Sequence, residues 1–237
     1  MSHIHSGREL FLREMREVGV DVSRETRDRL ETLVNTLIRW QKAINLVGRA
    51  TIEDVWVRHV LDSAQLKVLI PEGARTLTDL GSGGGFPGLV VAAMRPDLDV
   101  TLIESDARKA AFLGEASRRM GLEKLPKIVV GRVETVAPAK ADVVTARALA
   151  PLGQLLEWAD RHRTDTAICL FHKGKGWQAE LTEAMKDWDI PRQPFTSVTD
   201  LDAVILRIGH YTPAGATSAD IRDRQPKGRR RQDDDGD

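Results

Sequence analysis

A carboxylate followed by closely spaced glycines is the feature of this sequence best suited to chemistry. Asp79 begins the pattern D-x-G-x-G-x-G through Gly81, Gly83 and Gly85, and Gly88 completes a second pattern, G-x-G-x-x-G. Glycines let the backbone adopt positive φ and approach a ligand closely. A helix that begins just after them offers free N–H groups. The stretch therefore predicts a nucleotide-binding turn between a strand and a helix.

Asp79, which precedes the first glycine, distinguishes a dinucleotide site from an S-adenosylmethionine site. Dinucleotide-binding turns carry G-x-G-x-x-G, but a negative charge beside a pyrophosphate has little use there. The methionine end of S-adenosylmethionine carries an ammonium group, which the Asp79 carboxylate can organise directly or through water. A glycine-rich turn with an aspartate cap and no ligand is the alternative. We expect S-adenosylmethionine.

A second carboxylate, Glu104, ends the apolar run 99–104, about twenty residues after the glycines. It can accept hydrogen bonds from two ribose hydroxyls. NAD and S-adenosylmethionine both contain such a ribose, so Glu104 supports a cofactor site without choosing between them. The alternative is that Glu104 starts the next helix.

Strands and helices are predicted to alternate regularly from residue 75 onward. Apolar runs predict strands at 75–80, 99–104, 127–131, 141–146, 166–172 and 203–208. Helical spacing predicts helices at 87–95, 107–120, 151–162 and 176–187. This alternation is typical of an α/β fold with a mostly parallel, doubly wound, Rossmann-like sheet. A further strand near 193–199 predicts a terminal antiparallel hairpin, as in a class I methyltransferase.

Three segments of the chain differ in character. Residues 1–70 predict an N-terminal helical appendage, in which one helix ends at 45–48 with Gly48 as its cap and another spans 52–69. Residues 71–211 carry the Rossmann-like domain. Residues 212–237 end in a run of arginines and aspartates, which predicts a disordered tail.

The composition excludes several classes of protein. The 237 residues include 35 Lys and Arg and 35 Asp and Glu, so the chain lacks the strong positive charge of many nucleic-acid-binding proteins. The one cysteine, Cys169, excludes an intramolecular disulfide and a cysteine-based zinc site, and we expect no metal. The sequence shows no membrane-length apolar stretch and no signal-peptide core. We expect a cytoplasmic monomer.

Basic residues follow two of the later predicted strands. Arg147 follows the strand 141–146, where amino-methyltransferases often carry an Asn/Asp-Pro-Pro-aromatic motif instead. The carboxyl ends of strands in an open sheet face the ligand. An arginine there suits RNA phosphate or a guanine edge, whose O6 and N7 are acceptors. Together with Arg132, Lys173 and Lys175, Arg147 is expected to form one positive patch around the crevice.

A set of motifs gives the sequence a family resemblance. They are, in order, Asn45-Leu, Arg58-His-Val-Leu-Asp-Ser63, Asp79-Leu-Gly-Ser-Gly-Gly-Gly-Phe-Pro-Gly88, Arg132-Val-Glu134, Ala146-Arg-Ala148 and Lys173-Gly174. Over roughly residues 10–210 the chain resembles the bacterial 16S rRNA (guanine-N7)-methyltransferase G family, also called glucose-inhibited division protein B. The Phe-Pro-Gly extension and the Arg-His-x-x-Asp-Ser block discriminate far better than the glycines alone.

The resemblance implies methyl transfer from S-adenosylmethionine to N7 of a guanine, G527 in the usual numbering, in 16S rRNA of the small ribosomal subunit. Carried over to matching positions, and joined with the residues already discussed, it predicts cofactor contacts at Asp79, Gly81, Gly83, Phe86, Glu104, Val133, Glu134 and Arg147. Val133 and Glu134 would lie near the adenine. Predicted RNA contacts are Arg58, His59, Arg132 and Lys173.

The implied reaction needs few catalytic groups. Guanine N7 has a free lone pair and no proton at neutral pH, so positioning by Arg147 is expected to suffice without a general base. His59 is then assigned to packing or RNA contact, with Asp62 one helical turn away able to fix its ring. Three alternatives remain open: an NAD-dependent oxidoreductase, a non-catalytic RNA-binding module that retains a cofactor pocket, and a small-molecule methyltransferase.

Overall fold

The structure is a computed structural model that describes residues 2–215 and, within them, the side chains from residue 6 onward. The predicted tail therefore lies almost entirely outside the described residues. Its first residues are ordered, because Thr212–Pro213 forms a short strand.

Nine strands form two sheets in the described part of the chain. Their bounds are β1 (Thr76–Leu80), β2 (Asp99–Glu104), β3 (Lys127–Val130), β4 (Ala141–Arg147), β5 (Arg163–Lys173), β6 (Trp188–Asp189), β7 (Arg192–Thr196), β8 (Val204–Ile208) and β9 (Thr212–Pro213). The large sheet has the order β3-β2-β1-β4-β5-β8-β7, and β6 pairs only with β9. The first five strands are parallel, whereas β8 is antiparallel to β5 and β7. The mostly parallel sheet with a terminal hairpin is confirmed.

Helices cover both faces of this sheet. Their bounds are α1 (Ser2–Glu17), α2 (Arg24–Trp40), α3 (Asp62–Ala64), α4 (Leu66–Leu69), α5 (Gly88–Met94), α6 (Ala107–Met120), α7 (Leu152–His162) and α8 (Trp177–Ala184). Neighbouring residues of a strand point to opposite faces. Accordingly, Val143 belongs to an apolar core with α2, α5 and α6, whereas Val144 belongs to a second core with α7 and α8. Both valines are fully buried, as expected for a central parallel strand.

The N-terminal helices share the first of these cores. Helix α2 begins at the N-cap Ser23, whose hydroxyl accepts a hydrogen bond from the Thr26 N–H over 3.1 Å. Its apolar face buries Leu30, Leu33 and Leu37 and packs against α6. The helical appendage is thus continuous with the core of the sheet.

The predicted ends of two helices in this region are wrong. Helix α2 stops at Trp40 rather than near Gly48, because the side chain of Gln41 binds the backbone of the next segment. Gln41 Oε1 accepts from the N–H groups of Leu46 and Val47 over 2.8 and 3.1 Å, and Gln41 Nε2 donates to the Val47 carbonyl over 2.8 Å. Such side-chain partners compete with helix continuation.

The helix predicted over 52–69 is divided. It contains a π-helix, Trp56–Leu61, followed by the single turns α3 and α4. Gly48 precedes the short 3-10 helix Arg49–Thr51 instead of capping α2. Single-turn π-helices occur often at functional sites, and this one carries Arg58 and His59.

Candidate functional site

A cleft of about 1110 Å³ opens where β1, β4 and β5 end. Carboxyl ends of parallel strands form the ligand crevice of open α/β sheets. Seven of the predicted site residues line the cleft, namely Arg58, His59, Gly81, Gly83, Phe86, Arg147 and Lys173. The structure therefore brings residues from four separate parts of the chain to one place.

The glycine turn after β1 forms the floor of the cleft. Gly81 has a φ of +65°, and a Cβ there would come within 2.5 Å of a Leu149 methyl carbon. Gly83 has a φ of +50°, and a Cβ there would meet only the Gly81 carbonyl, at 3.7 Å. Positive φ favours glycine at both positions, and at Gly81 a side chain would also displace Leu149. The turn presents bare backbone to the cleft.

Asp79 lies beneath this turn and does not line the cleft. Its carboxylate is fully buried. Asp79 Oδ1 accepts from the Thr145 hydroxyl over 2.8 Å, and Oδ2 accepts from the Gly88 N–H over 3.3 Å. Burial raises the pKa of Asp79 to about 6, against the lowering effect of these hydrogen bonds. In this arrangement Asp79 ties the glycine turn to β4, and its contact with the cofactor stays a prediction.

Glu104 lies next to the glycine turn. Its Oε2 accepts from the Gly83 N–H and its Oε1 accepts from the Asp106 N–H, each over 2.8 Å. Two carboxylate oxygens offer about four acceptor positions. These two bonds therefore orient the carboxylate and leave acceptor capacity for ribose hydroxyls.

The segment predicted to meet the adenine lies beside Glu104, outside the wall of the cleft. The Gly131 N–H donates to the Glu104 carbonyl over 3.0 Å. Val133 is buried, and its carbonyl accepts from His162 Nε2 over 2.8 Å. Glu134 accepts from Arg132 Nε over 2.6 Å. The position of the segment suits the predicted role, which stays a prediction.

The single positive patch expected around the crevice is not formed. Arg132 follows β3, whereas Lys173 ends β5, and three strands of the sheet separate β3 from β5. Arg132 is paired with Glu134. Only Arg147 and Lys173 of the expected four line the cleft.

Arg147 lines the cleft and its side chain is largely enclosed. Its Nη2 donates to His59 Nδ1 over 2.7 Å, and its Nη1 donates to the Arg58 carbonyl over 3.0 Å. Nη1 also lies 3.4 Å from Asp62 Oδ2. The guanidinium carbon is 5.4 Å from the centroid of the Phe86 ring, within cation–π range. Four partners therefore hold this guanidinium in one orientation.

His59 is fixed by Arg147 and Thr51, not by Asp62 as expected. An arginine can only donate, so Nδ1 of His59 is the acceptor and Nε2 carries the proton. Nε2 then donates to the Thr51 hydroxyl over 2.7 Å, and that hydroxyl donates to the Gly48 carbonyl. The imidazole stacks on Phe86 with 5.1 Å between ring centroids. Burial, with a contribution from Arg147, lowers the pKa of His59 to about 3.

Asp62 connects the π-helix to the turn between β7 and β8. Its Oδ1 accepts from the hydroxyls of Ser197 and Thr199 over 3.2 and 3.0 Å. Its backbone carbonyl accepts from His172 Nε2 over 2.9 Å. Through Oδ2 it also reaches Arg147. One aspartate thus joins Arg147, β5 and the terminal hairpin.

Lys173 points into the protein and not towards solvent. Its ammonium donates to the Ala150 carbonyl over 2.8 Å and to Glu180 Oε2 over 2.7 Å. The side chain is only 7% exposed. In this state Lys173 stabilises the segment after β4, where Ala148 adopts a φ of +51°, and its contact with RNA stays a prediction.

The family model described as rRNA small subunit methyltransferase G matches residues 26–205. The chain belongs to this family. A protein named Ribosomal RNA small subunit methyltransferase G from Paramagnetospirillum magneticum is 52% identical over 188 residues, which are 79% of this chain and 90% of that protein. The protein of the same name from Gluconobacter oxydans is 48% identical over 190 residues, covering 80% of this chain and 96% of that protein.

Similarity to solved structures shows that this member of the methyltransferase G family has a class I methyltransferase fold. Cofactor-bound Rv0187 from MTB matches with a TM-score of 0.54 at 16% identity, over 76% of this chain and 89% of that one. The O-methyltransferase TomG from Streptomyces achromogenes, in complex with SAM, matches with a TM-score of 0.51 at 16% identity, over 76% and 90%. At such identities the likeness concerns the fold alone. Within residues 2–215, no helix has the length and apolar character needed to cross a membrane.

Some residues of the site in this methyltransferase G family member were not found from the sequence. They are Thr51, Thr145, His172, Ser197 and Thr199, which hold His59, Asp79 and Asp62. Thr145 and His172 lie within the apolar strands β4 and β5, and the three other residues are isolated hydroxyl residues. None of the five belongs to a spacing pattern that the sequence would reveal. The block from Arg58 to Ser63 does indicate Asp62, but Asp62 binds Arg147, Ser197 and Thr199 rather than His59.

Proposed function

We propose that the protein transfers a methyl group from S-adenosylmethionine to N7 of a guanine, G527, in 16S rRNA of the small ribosomal subunit. Membership of the methyltransferase G family supports methyl transfer to small-subunit rRNA and displaces the oxidoreductase and the non-catalytic alternatives. The observation that carries the choice of N7 is the bond from Arg147 to His59. This bond orients the Arg147 cation beside the glycine turn and leaves His59 without a free lone pair to act as a base.

The residues around the turn fit S-adenosylmethionine. The backbone at Gly83 leaves room that a side chain would fill, and Glu104 retains acceptors for ribose hydroxyls. The segment 131–134 lies beside Glu104 for the adenine. When bound, the cofactor supplies an electrophilic methyl group on a sulfonium.

The chemistry of guanine N7 agrees with the groups in the cleft. N7 carries a lone pair and no proton at neutral pH, so its attack on a methyl group requires no base. His59 cannot serve as one, because its pKa is lowered to about 3 and Arg147 occupies its free lone pair. The protein then contributes to catalysis by orienting guanine N7, the methyl acceptor, towards the methyl group. Such alignment lowers the activation barrier by several kcal/mol.

Arg147 is the residue best placed to orient the guanine. Among the described residues, Nη1 and one Nη2 proton of Arg147 have partners, whereas Nε and the other Nη2 proton have none. Arginine commonly donates to O6 of guanine. A bond to O6 would hold the base while the N7 lone pair remains free to react.

Mapping N7-methylguanosine in rRNA from cells with and without the protein tests this function. We expect one N7-methylguanosine of 16S rRNA to disappear without the protein, and purified protein with S-adenosylmethionine to restore it on small subunits. Loss of a methyl group from another atom or another RNA would contradict the proposal.

We further propose that the protein is a monomer in the cytoplasm. Light scattering of the purified protein tests the oligomeric state, and cell fractionation tests the location.

A further inference from the structure

The cleft wall carries more positive than negative charge, and the excess lies on one side. Its charged residues are the cations Arg49, Arg58, Lys109, Arg147 and Lys173 and the anions Asp62, Glu180 and Asp200. Its two histidines, His59 and His172, have pKa values lowered by burial and are neutral. Five cations therefore face three anions around one cavity.

Each anion is paired with one of the cations. Asp62 lies 3.4 Å from Arg147, and Glu180 lies 2.7 Å from Lys173. Arg58 Nη1 lies 3.5 Å from Asp200 Oδ2. These three pairs lie where the π-helix, the ends of β4 and β5, and the turn between β7 and β8 meet. They neutralise that side of the cleft.

Arg49 and Lys109 remain on the other side. No side-chain hydrogen bond or ion pair of either residue occurs within the part of the chain that the structure describes. Arg49 is exposed at the start of the 3-10 helix, and Lys109 is half-buried in the first turn of α6. The segment that leads to Arg49 contacts the glycine turn, because a Cβ on Gly84 would lie 3.1 Å from the Leu46 carbonyl. Lys109 comes shortly after Glu104, which accepts a hydrogen bond from the Gly83 N–H of the same turn.

We propose that Arg49 and Lys109 bind phosphates of the RNA strand that carries the target guanine. This inference rests on the proposed function. RNA presents a row of negative charges, and neutralising them is the main sequence-independent source of affinity. The cofactor is a poorer match for two cations, since it carries a sulfonium and a single carboxylate. Because the charges on the opposite side are paired, the strand is expected to pass over the glycine turn and the first turn of α6 with the base towards Arg147.

The test removes these two charges and compares the result with a matched removal nearby. The cleft variant is Arg49→Gln with Lys109→Gln. The control is Lys42→Gln with Arg108→Gln, which loses the same charge at exposed positions that do not line the cleft. Arg108 is adjacent to Lys109 on the same helix. Methyl transfer to small subunits from cells lacking the protein is measured across KCl concentrations, with S-adenosylhomocysteine binding followed by calorimetry.

The cleft variant is expected to raise KM for subunits by about tenfold or more. It should also reduce the magnitude of the slope of log kcat/KM against log [KCl] by about two. Its kcat, thermal unfolding and S-adenosylhomocysteine affinity should match wild type. A variant with Arg49→Gln and Lys109→Arg, which keeps one of the two cations, should regain half of the lost slope. Control variants should keep the wild-type slope. An unchanged slope in the cleft variant, or a parallel loss of S-adenosylhomocysteine binding, overturns the phosphate assignment alone. Failure of the wild-type protein to methylate any small-subunit RNA overturns the proposed function instead.

Discussion

Arg147 donates a hydrogen bond to Nδ1 of His59 over 2.7 Å, and this bond defines the role of both residues. It uses the lone pair through which the imidazole would act as a base. It also fixes the plane of the guanidinium, which Phe86 supports from one side. The pair therefore forms a positioning unit in which the histidine orients the arginine and the arginine faces the substrate.

Replacing Arg147 with alanine is expected to reduce kcat/KM for rRNA methylation by about 100-fold or more while the fold survives. Loss of oriented contacts at a reacting centre costs this much. The change also removes the Arg147 donor from Asp62 Oδ2 and from the Arg58 carbonyl, which costs on the order of 1–3 kcal/mol of stability. Methyl transfer to small subunits and thermal unfolding measure the two effects.

Two controls sharpen this prediction. Arg147→Lys keeps the charge but not the forked donors, so we expect it to be nearly as inactive as alanine. Lys175→Ala, at an exposed position outside the cleft wall, should have wild-type activity. Wild-type turnover by Arg147→Ala would remove Arg147 from the site.

Substitutions of His59 separate positioning from base catalysis. His59→Asn retains an acceptor near the position of Nδ1, whereas His59→Gln places its amide near the position of Nε2. We expect His59→Asn to remain about tenfold more active than His59→Gln, because only the former can keep the bond to Arg147. Neither amide can act as a base, so similar inactivity of both variants would count against the positioning role.

The pH dependence of kcat gives an independent measurement on His59. Because its pKa is lowered to about 3, His59 is neutral throughout the neutral range. His59 should therefore contribute no acid limb to kcat between about pH 5.5 and 8. A limb near the ordinary histidine pKa that disappears in His59→Asn would make His59 the base.

Asp62→Asn is expected to loosen the turn between β7 and β8. One remaining side-chain oxygen cannot accept from Ser197, Thr199 and Arg147 together. We expect kcat/KM to fall by about tenfold and backbone amides of residues 197–200 to exchange hydrogen faster. Glu157→Gln, at an exposed position on α7, is the control. Unchanged exchange in Asp62→Asn would show that Asp62 does not hold this turn.

Asp79 makes stability depend on pH in the direction opposite to that of most carboxylates. Its pKa rises from 3.8 in the unfolded chain to about 6 in the fold. The folded protein therefore binds more protons between these values, and the contribution of Asp79 to stability is full below pH 3.8 and is lost as pH rises through about 6. The loss is on the order of 3 kcal/mol.

Urea unfolding of wild type and Asp79→Asn between about pH 4 and 7 measures this contribution. The free energy of unfolding of wild type relative to the variant should decrease across that range, because asparagine does not titrate. A difference that stays constant with pH would show that Asp79 does not have the raised pKa.

Local patterns were sufficient to predict the order of the elements and the place of the cofactor turn. Apolar runs, glycine spacing and the acids at strand ends are local features, and the rule that parallel strands end at one edge placed Arg147 and Glu104 near the glycines. Arg132 shows the limit of that rule. It also follows a parallel strand, but the strand order places β3 at the far edge, away from Lys173.

The sequence by itself thus determined the fold class, the glycine turn and the arginine at the end of β4. Only the tertiary structure decided what holds that arginine. Asp62 and Ser197 are 135 residues apart in the chain and 3.2 Å apart in space. Periodicity and spacing report interactions over a few residues, whereas a hydrogen bond between distant side chains depends on how the packed elements bring them together.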